Sequence, residues 1–306
     1  MTYNVWSCEH VAVYRRIQSI CEIVDRHEPD VIFLQEVNDY IYSLFQEASW
    51  WVQYSVFTSR EEKQSCSWSS ESNSTPFCVL LSKLCAGEVV LPKYSSSSEI
   101  GSPPPRRPPR AARIPSDLLS AWVHETEAKV PGGFVLGRHR LRAATCCLAG
   151  PTPSDIGSTH RRARAGAFLE HFDVRHEHYG TSFVLDGNVV LGGDLGWDDD
   201  LDGPLRLGDG WVDAWSELRG GGGGDEGGGW TYDAAVANPM LRGLARPERR
   251  RSDRFICKLR DFKLDTIEMV GVEPIPGVTR FDDKGVALPV LPSHHFGLLL
   301  TVAPKH

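Results

Sequence analysis

Four polar residues stand at the ends of apolar, strand-like segments that lie far apart in the sequence. Asn4 and Glu36 each end such a segment near the N-terminus, Asp194 ends a later one, and His295 precedes the last one. Polar groups at successive strand ends converge at one edge of an α/β sheet, where such sheets bind ligands. A single well-placed glutamate can anchor Mg²⁺, which usually takes one or two carboxylates and keeps several waters. The four side chains could therefore bind a cation, position water and stabilise a developing anion, as phosphodiester hydrolysis requires. Taken alone, Asp194 in Gly-Gly-Asp-Leu-Gly is equally typical of a turn.

Helices that alternate with buried strands are predicted to position these residues. Apolar runs and helical periodicity predict strands and helices in turn along the chain, and Pro29 is expected to end the first helix. The strands are predicted at Thr2–Trp6, Val31–Leu34, Phe77–Ser82, Leu141–Leu148, Asn188–Gly192, Asp253–Leu259, Lys263–Val270 and Phe296–Val302. The helices are predicted at Val13–Val24, Tyr40–Ala48 and Arg161–Phe172. This order favours an α/β (α+β) architecture with sheets inside and helices outside.

Composition indicates one domain with three insertions. The 306 residues are 41% hydrophobic and 24% charged, and we expect a single domain over residues 1–306. Three segments of low complexity, rich in Ser, in Ser/Pro/Arg and in Gly, are predicted to be disordered loops at 60–75, 95–115 and 219–229. Because the first motif begins at Met1 with no strand before it, the sequence is expected to start late.

Charge and cysteine usage exclude several classes of protein. A net charge of −7 argues against a basic nucleic-acid coat, so a polyanion would have to meet local positive charge or a metal. Arginine runs within 106–113, 161–164 and 249–254 could supply that charge, although such runs are more typical of a solvated face. The eight cysteines form no CxxC pair, and no secretory signal or membrane-length apolar run is visible. We expect a nuclear or cytoplasmic protein that is not secreted and has no membrane partner.

Several motifs in order resemble one known superfamily. The segments MTYNVW, PDVIFLQEV, GGDLGW, SDRFICKL and LPSHHFGLLL are similar to those of the endonuclease/exonuclease/phosphatase superfamily, and most similar to its tyrosyl-DNA phosphodiesterase 2 (TDP2) branch, especially in plants. LQEV alone is a weak signal, whereas five ordered motifs are a specific one. The resemblance implies a four-layer αββα sandwich of the deoxyribonuclease I-like type.

The resemblance also assigns roles to individual residues. It implies that Glu36 binds Mg²⁺ or Mn²⁺, that Asp194 positions the attacking water, and that His295 contacts phosphate. Asn4 would help to hold metal and phosphate. Tyr232, in a WTYD segment similar to a YTWD element, and the aspartate–arginine pair Asp253 and Arg254 would bind substrate.

Three positions depart from the family pattern. Gly196 replaces the asparagine of a GDxN motif, Cys147 replaces the histidine of a THLES motif, and His294 replaces the aspartate of a terminal SDH motif. We expect the loss of the orienting aspartate to cost about four orders of magnitude in turnover, and each lost anion donor about 100- to 1000-fold. Alternatively, Cys147, His294 and His295 could form a zinc site, or a cysteine nucleophile activated by histidine.

These features leave three functions open. One is a metal-dependent phosphodiesterase that acts on DNA with 5′-blocked ends in repair, with impaired catalysis. Another is an inactive pseudoenzyme that binds nucleic acid or protein through the same cleft. The third is a hydrolase of another phosphate ester, such as a nucleotide or an inositol phosphate. In each case a monomer is expected.

Overall fold

A computed structural model describes most of the chain. The described residues are 1–58, 76–83, 118–129, 135–148, 150, 159–173, 176–178, 181–183, 188–220, 228–233, 249–282 and 284–305. The insertions predicted at 60–75 and 95–115 lie outside these ranges, as do residues 221–227 of the third insertion. None of the described helices is long and apolar enough to cross a membrane.

The helices are short and their ends follow from local sequence. They are α1 (Val13–His27), α2 (Asp39–Gln46), α3 (Thr159–Asp173), α4 (Asp199–Asp202) and α5 (Ala214–Arg219), with one 3₁₀ turn at Trp51–Gln53. α1 ends because Glu28 adopts a left-handed conformation, with its N–H donating to the Val24 carbonyl, and Pro29 follows. Asn38 caps α2 by accepting a hydrogen bond from the Ile41 N–H at 2.8 Å.

Seventeen strands are described. They are β1 (Thr2–Asn4), β2 (Val31–Val37), β3 (Ser55–Thr58), β4 (Phe77–Ser82), β5 (Leu118–Lys129), β6 (Val135–Cys146), β7 (His176–His178), β8 (Thr181–Phe183), β9 (Asn188–Asp194), β10 (Trp211–Asp213), β11 (Tyr232–Asp233), β12 (Arg249–Arg250), β13 (Asp253–Leu259), β14 (Phe262–Val270), β15 (Thr279–Phe281), β16 (Ala287–Pro289) and β17 (Gly297–Pro304).

Two mixed sheets carry the fold. The first has six strands in the order β14-β17-β1-β2-β4-β3, and the second has five in the order β10-β13-β9-β6-β5. β1 and β2 are parallel, with Asn4 opposite Gln35. β9 and β13 are antiparallel, with Asp194 opposite Asp253. These registers place Asn4 beside Gln35 in the first sheet and Asp194 beside Asp253 in the second sheet.

Three cores stack between four layers. Between α1, α2 and the first sheet lies a core that includes Ile20, Ile32 and Phe45. Between the two sheets lies a second core with members from both, among them Phe33 and Phe255. α3 covers the outer face of the second sheet through residues such as Phe168, Leu191 and Ile256. The order helix, sheet, sheet, helix confirms the expected αββα sandwich.

Most of the expected elements are present with small shifts in their ends. The strand predicted at Thr2–Trp6 stops at Asn4, and that predicted at Leu141–Leu148 runs from Val135 to Cys146. The elements that were not predicted are the strands β3, β5, β7, β8, β10, β11, β12, β15 and β16 and the helices α4 and α5. The single-domain prediction is not tested by these observations.

Candidate active site

The polar strand ends meet at one end of the sandwich. Asn4 ends β1 in the first sheet, and its side-chain amide is fully buried between two carboxylates. The Nδ2 group donates to Glu36 Oε1 at 2.9 Å and to Asp194 Oδ2 at 2.8 Å, while Oδ1 accepts from the Trp6 N–H at 3.0 Å. Asp194 belongs to the second sheet, so Asn4 joins the two sheets at the cluster.

Glu36 is directed into the cluster by an irregularity in β2. The pairing of β2 with β4 shifts register between Leu34 and Val37, and Glu36 has a φ of 57°, which non-glycine residues rarely adopt. Its Oε2 accepts hydrogen bonds from both the backbone N–H and the hydroxyl of Ser7, each at 3.2 Å. A strained backbone and two donors therefore fix the orientation of a partly exposed carboxylate.

His295 is oriented by a carboxylate from another strand. Its Nδ1 lies 2.6 Å from Asp253 Oδ2, and its Nε2 lies 4.0 Å from Asp194 Oδ2. Both Asp253 and His295 are buried. Replacement of an aspartate by His294 was expected to leave the histidine without an orienting carboxylate. That expectation is wrong, because Asp253 on β13 supplies the carboxylate.

The charges of this cluster follow from burial and proximity. Burial acts to lower the pKa of His295, but the Asp253 and Asp194 carboxylates overcome it and raise that pKa to about 9. Burial raises the pKa of Asp194 to about 6, against the opposing charge of His295. At neutral pH His295 is therefore a cation that donates from Nδ1 to Asp253, and Asp194 is an anion whose pKa lies close to neutrality.

His294 faces aromatic rings rather than carboxylates. Its ring packs edge-on against Trp6 at 5.1 Å, Tyr232 at 5.9 Å and His295 at 4.4 Å between centroids. Burial lowers its pKa well below the ordinary value, with the charge of His295 adding to the effect. His294 is thus a neutral part of an aromatic wall. Tyr232 also packs edge-on against His295 at 5.1 Å and carries the Arg250 guanidinium 4.0 Å above its ring.

Gly196 occupies a position that has no room for a side chain. Its φ is +54°, and a Cβ atom there would lie 2.7 Å from the Leu148 carbonyl oxygen and 2.8 Å from Gly150 Cα. The Gly196 N–H donates to Asp194 Oδ1 at 2.8 Å. The backbone at this position therefore holds Asp194, while the space that an asparagine would need is filled by Leu148 and Gly150.

Cys147 is turned towards the carboxylates. It forms an isolated bridge with Asp194 beyond the end of β6, and its Sγ lies within 4.8 Å of one oxygen each of Glu36 and Asp194. Burial raises its thiol pKa well above the ordinary value, with the Asp194 charge next in importance. The expected grouping of Cys147 with His294 and His295 is not what the structure shows. Among the described residues, His295 groups instead with Asp194 and Asp253.

Arg254 lies outside the cluster. Its guanidinium donates to Asp213 Oδ2 at 2.9 Å and to Asp199 Oδ2 at 2.7 Å, and its side chain is 3% exposed. Successive side chains of a strand point to opposite faces, so Arg254 turns away from the face that carries Asp253. The substrate contact predicted for Arg254 is therefore wrong, and its contacts join β13 to α4 and β10.

Arg16 was not predicted as a site residue, and its guanidinium holds loops that border the cluster. This fully buried side chain donates to the carbonyl groups of Val5, Trp6, Cys8 and Val11, and lies 3.5 Å from that of Pro292. It thereby ties the loop that carries Ser7 to the loop that carries His295. The signal was available, because position 16 shares the buried helical face of Ile17, Ile20 and Val24.

Two further residues were missed, although each lies inside a motif that the sequence analysis quotes. Ser293 Oγ donates to the Asn4 carbonyl at 2.7 Å and accepts from the His295 N–H at 3.2 Å. Thr231 Oγ1 accepts from the Asp253 N–H at 2.9 Å, and its carbonyl accepts from the Phe296 N–H. Both link segments that are remote in sequence, which neither spacing nor periodicity can reveal.

The donor set suits a divalent cation. Glu36 and Asp194 offer carboxylate oxygens, the ligands that Mg²⁺ and Mn²⁺ prefer. Asn4, Ser7 and the Gly196 N–H occupy only part of the lone pairs of these oxygens. Glu36 is partly exposed, so an ion could reach it from solvent. Glu36 and Asp194 are the residues that would hold such a cation.

Comparison with solved structures identifies the fold. Zebrafish (D. rerio) TDP2 complexed with single strand DNA product is similar over 99% of this chain and 97% of that chain, with 19% identity and a TM-score of 0.62. TDP2 from C. elegans is similar over 97% of this chain and 72% of that chain, with 18% identity and a TM-score of 0.60. The human Nocturnin catalytic domain with bound sulfate anion is similar over 95% and 86%, with 13% identity and a TM-score of 0.52.

Sequence comparison places the chain in a family. The sequence matches none of the curated proteins, so no individual relative adds to the structural neighbours. The model of the Endonuclease/Exonuclease/phosphatase family matches residues 1–244, which include Asn4, Glu36 and Asp194. Together with the αββα fold, this match shows that the chain belongs to the endonuclease/exonuclease/phosphatase family.

Proposed function

We propose that this protein is a metal-dependent phosphodiesterase that acts on DNA ends, releasing a 5′-phosphate from a 5′-tyrosyl adduct. The observation that carries the proposal is the hydrogen-bonded cluster of Asn4, Glu36, Asp194, Asp253 and His295 at one end of the sandwich. Two of its carboxylates can hold a cation, and its imidazolium can meet an anion. That combination suits a phosphodiester better than a neutral ester or amide.

The cation would be held by Glu36, with Asp194 beside it. Bound there, Mg²⁺ or Mn²⁺ supplies neutralisation of phosphate charge and polarisation of the phosphoryl oxygen. Ser7 and Asn4 hold the Glu36 carboxylate in one orientation, which lowers the entropy lost when a ligand binds.

Asp194 would accept the proton of the attacking water, and His295 would stabilise the negative charge on the phosphate. Asp194, held by the Asn4 amide and the Gly196 N–H, would orient the attacking water and accept its proton. His295, kept cationic by Asp253, would donate from Nε2 to a phosphate oxygen. The tyrosine would leave as a phenolate.

The aromatic wall supports a nucleic-acid substrate. Trp6 and His294 are partly exposed beside His295, and aromatic faces are the usual platforms on which single-stranded bases stack. The structural resemblance to TDP2 complexed with single strand DNA product supports the same substrate class.

The test is release of 5′-phosphate from a 5′-phosphotyrosyl oligonucleotide with excess Mg²⁺ or Mn²⁺. Glu36→Ala should abolish release, whereas Glu47→Ala, which removes an exposed glutamate at the end of α2, should leave it unchanged. Folding of each variant is checked by circular dichroism. Absence of metal-dependent release from folded wild-type protein would refute the tyrosyl-DNA proposal.

A second candidate is DNA binding without turnover. Gly196 leaves the site without the expected asparagine, and Leu148 and Gly150 fill the space that it would take. The test is to measure the affinity for single-stranded DNA without metal at several salt concentrations. An affinity that falls as the salt concentration rises, in a protein that releases no phosphate, would favour this alternative.

A further inference from the structure

The replacement of a family histidine by Cys147 places sulfur among the carboxylates of the cluster. Cys147 Sγ and one oxygen each of Glu36 and Asp194 all lie within 4.8 Å of one another. Atoms at such separations can share a single ion after small side-chain adjustments, since zinc bonds measure about 2.0–2.3 Å. Glu36 and Cys147 are partly exposed, which gives an ion a route from solvent.

The neighbouring Asp253 carboxylate has one oxygen without a hydrogen-bond donor. Asp253 is 1% exposed, and its Oδ1 has no hydrogen-bond partner among the described residues. A carboxylate oxygen of Asp253 lies within 4.8 Å of one of Asp194, so its negative charge adjoins the trio formed by Cys147, Glu36 and Asp194. Buried polar atoms are nearly always satisfied, and with His295 already paired to Oδ2, a cation in the trio would add a second positive charge beside this carboxylate.

The ligand types decide which cation the trio favours. Mg²⁺ demands oxygen ligands in near-ideal octahedral geometry and gains nothing from a thiolate. Zn²⁺ and Cd²⁺ bind thiolate strongly, and zinc takes mixed sulfur and carboxylate sets with a position left for water. The thiol proton passes to solvent when the sulfur becomes a ligand.

We propose that Cys147, Glu36 and Asp194 together bind one thiophilic divalent cation, of the Zn²⁺ type, in preference to Mg²⁺. The inference rests on the proposed function only in taking Glu36 as a metal ligand. Ser7 holds Glu36, while Asn4 and the Gly196 N–H hold Asp194, so two of the three ligands are fixed before the ion arrives.

The neighbouring cysteine does not share this position. Cys146 is 0% exposed and packs in the core between the second sheet and α3, because successive residues of a strand face opposite sides. Cys8 is partly buried and lies in the loop before α1, outside the trio. It serves as a matched control.

The experiment is a Cd²⁺ titration of the metal-free, reduced protein, monitored through the ultraviolet charge-transfer absorption of a thiolate–cadmium bond. Wild type should show a saturable component of one equivalent. Cys147→Ser should lose this component, and Glu36→Gln should raise its apparent Kd at least about tenfold, since even outer-shell changes typically cost 10- to 100-fold. Cys8→Ser should keep the component. Zn²⁺ should displace it, and excess Mg²⁺ should not.

Each outcome decides the inference separately from the phosphodiesterase proposal. A saturable component that survives in Cys147→Ser refutes the inference. A component that is lost in Cys147→Ser but unchanged in Glu36→Gln refutes the shared site, because the thiol then binds Cd²⁺ without the carboxylate. Phosphate release is not part of this readout, so a protein without activity on tyrosyl-DNA can still show the band.

Discussion

Substitution of Asp253 by Asn tests whether the histidine is oriented from β13. The change keeps the shape of the side chain and removes the negative charge 2.6 Å from His295 Nδ1. Asp253, with help from Asp194, raises the pKa of His295 from an ordinary 6.5 to about 9. At about 1.4 kcal/mol for each pKa unit, the imidazolium is favoured by a net of about 3 kcal/mol after the cost of burial.

The consequence for catalysis follows from the same contact. With Asn at 253, His295 loses both its charge and the partner that fixes its tautomer. In a serine protease the equivalent aspartate-to-asparagine change costs about 10⁴-fold in kcat. We therefore expect 5′-phosphate release at pH 7 to fall by about 10²- to 10⁴-fold with little change in KM. Asp199→Asn, which removes a half-exposed partner of Arg254, should change release less than about threefold.

A second readout does not need activity. A histidine whose pKa is raised on folding contributes stability that is fully present below its unfolded pKa and is lost as pH rises through its folded pKa. The contribution of His295 to the wild-type free energy of unfolding should therefore fall between about pH 6.5 and 9. In Asp253→Asn this fall should be smaller. Urea unfolding at several pH values measures both curves. Unchanged turnover together with an unchanged pH dependence would refute the role given to Asp253.

Two other substitutions test the support of the cluster. Gly196→Asn restores the family residue but places Cβ 2.7 Å from the Leu148 carbonyl oxygen, so we expect a loss of about 1–3 kcal/mol and a Tm several degrees lower in thermal melts. A variant that is as stable as wild type and more active would contradict this. Arg16→Met leaves several buried carbonyl groups without a donor, at about 1–3 kcal/mol each, and should lower the free energy of urea unfolding by more than about 3 kcal/mol. Arg15→Met, at an exposed neighbouring position, should be near neutral, and equal effects of the two would contradict the role of Arg16.

Buried strands were predictable because their sequences leave few alternatives. Phe77–Ser82 and Asp253–Leu259 were placed with correct ends, since their apolar stretches Phe77–Leu81 and Phe255–Cys257 suit strands covered on both faces. β3, with the sequence Ser-Val-Phe-Thr, has only four residues, and none of them is fully buried, so it shows no alternation of apolar and polar residues. β5 was missed within a segment where no apolar pattern was recognised.

The sequence identified residues of the candidate site but not the contacts between their side chains. Asn4, Glu36 and Asp194 could be found because each ends a buried strand. The partner of His295 could not, because Asp253 is 42 residues away and meets it only through the packing of β13 against the loop before β17. Arg254 was misassigned because a motif names adjacent residues, whereas a strand sends them to opposite faces.

The place of β1 in the first sheet bears on synthesis of the protein. β1 lies between β2 and β17, so residues from both ends of the described chain are neighbours, and Ser293 bonds the Asn4 carbonyl. A nascent chain leaves the ribosome from its N-terminus, with Glu36 and Asp194 long before His295. Until residues 293–304 emerge, β1 lacks one neighbour and the carboxylates lack their imidazolium. The cluster is therefore complete only once residues 293–304 have packed beside β1.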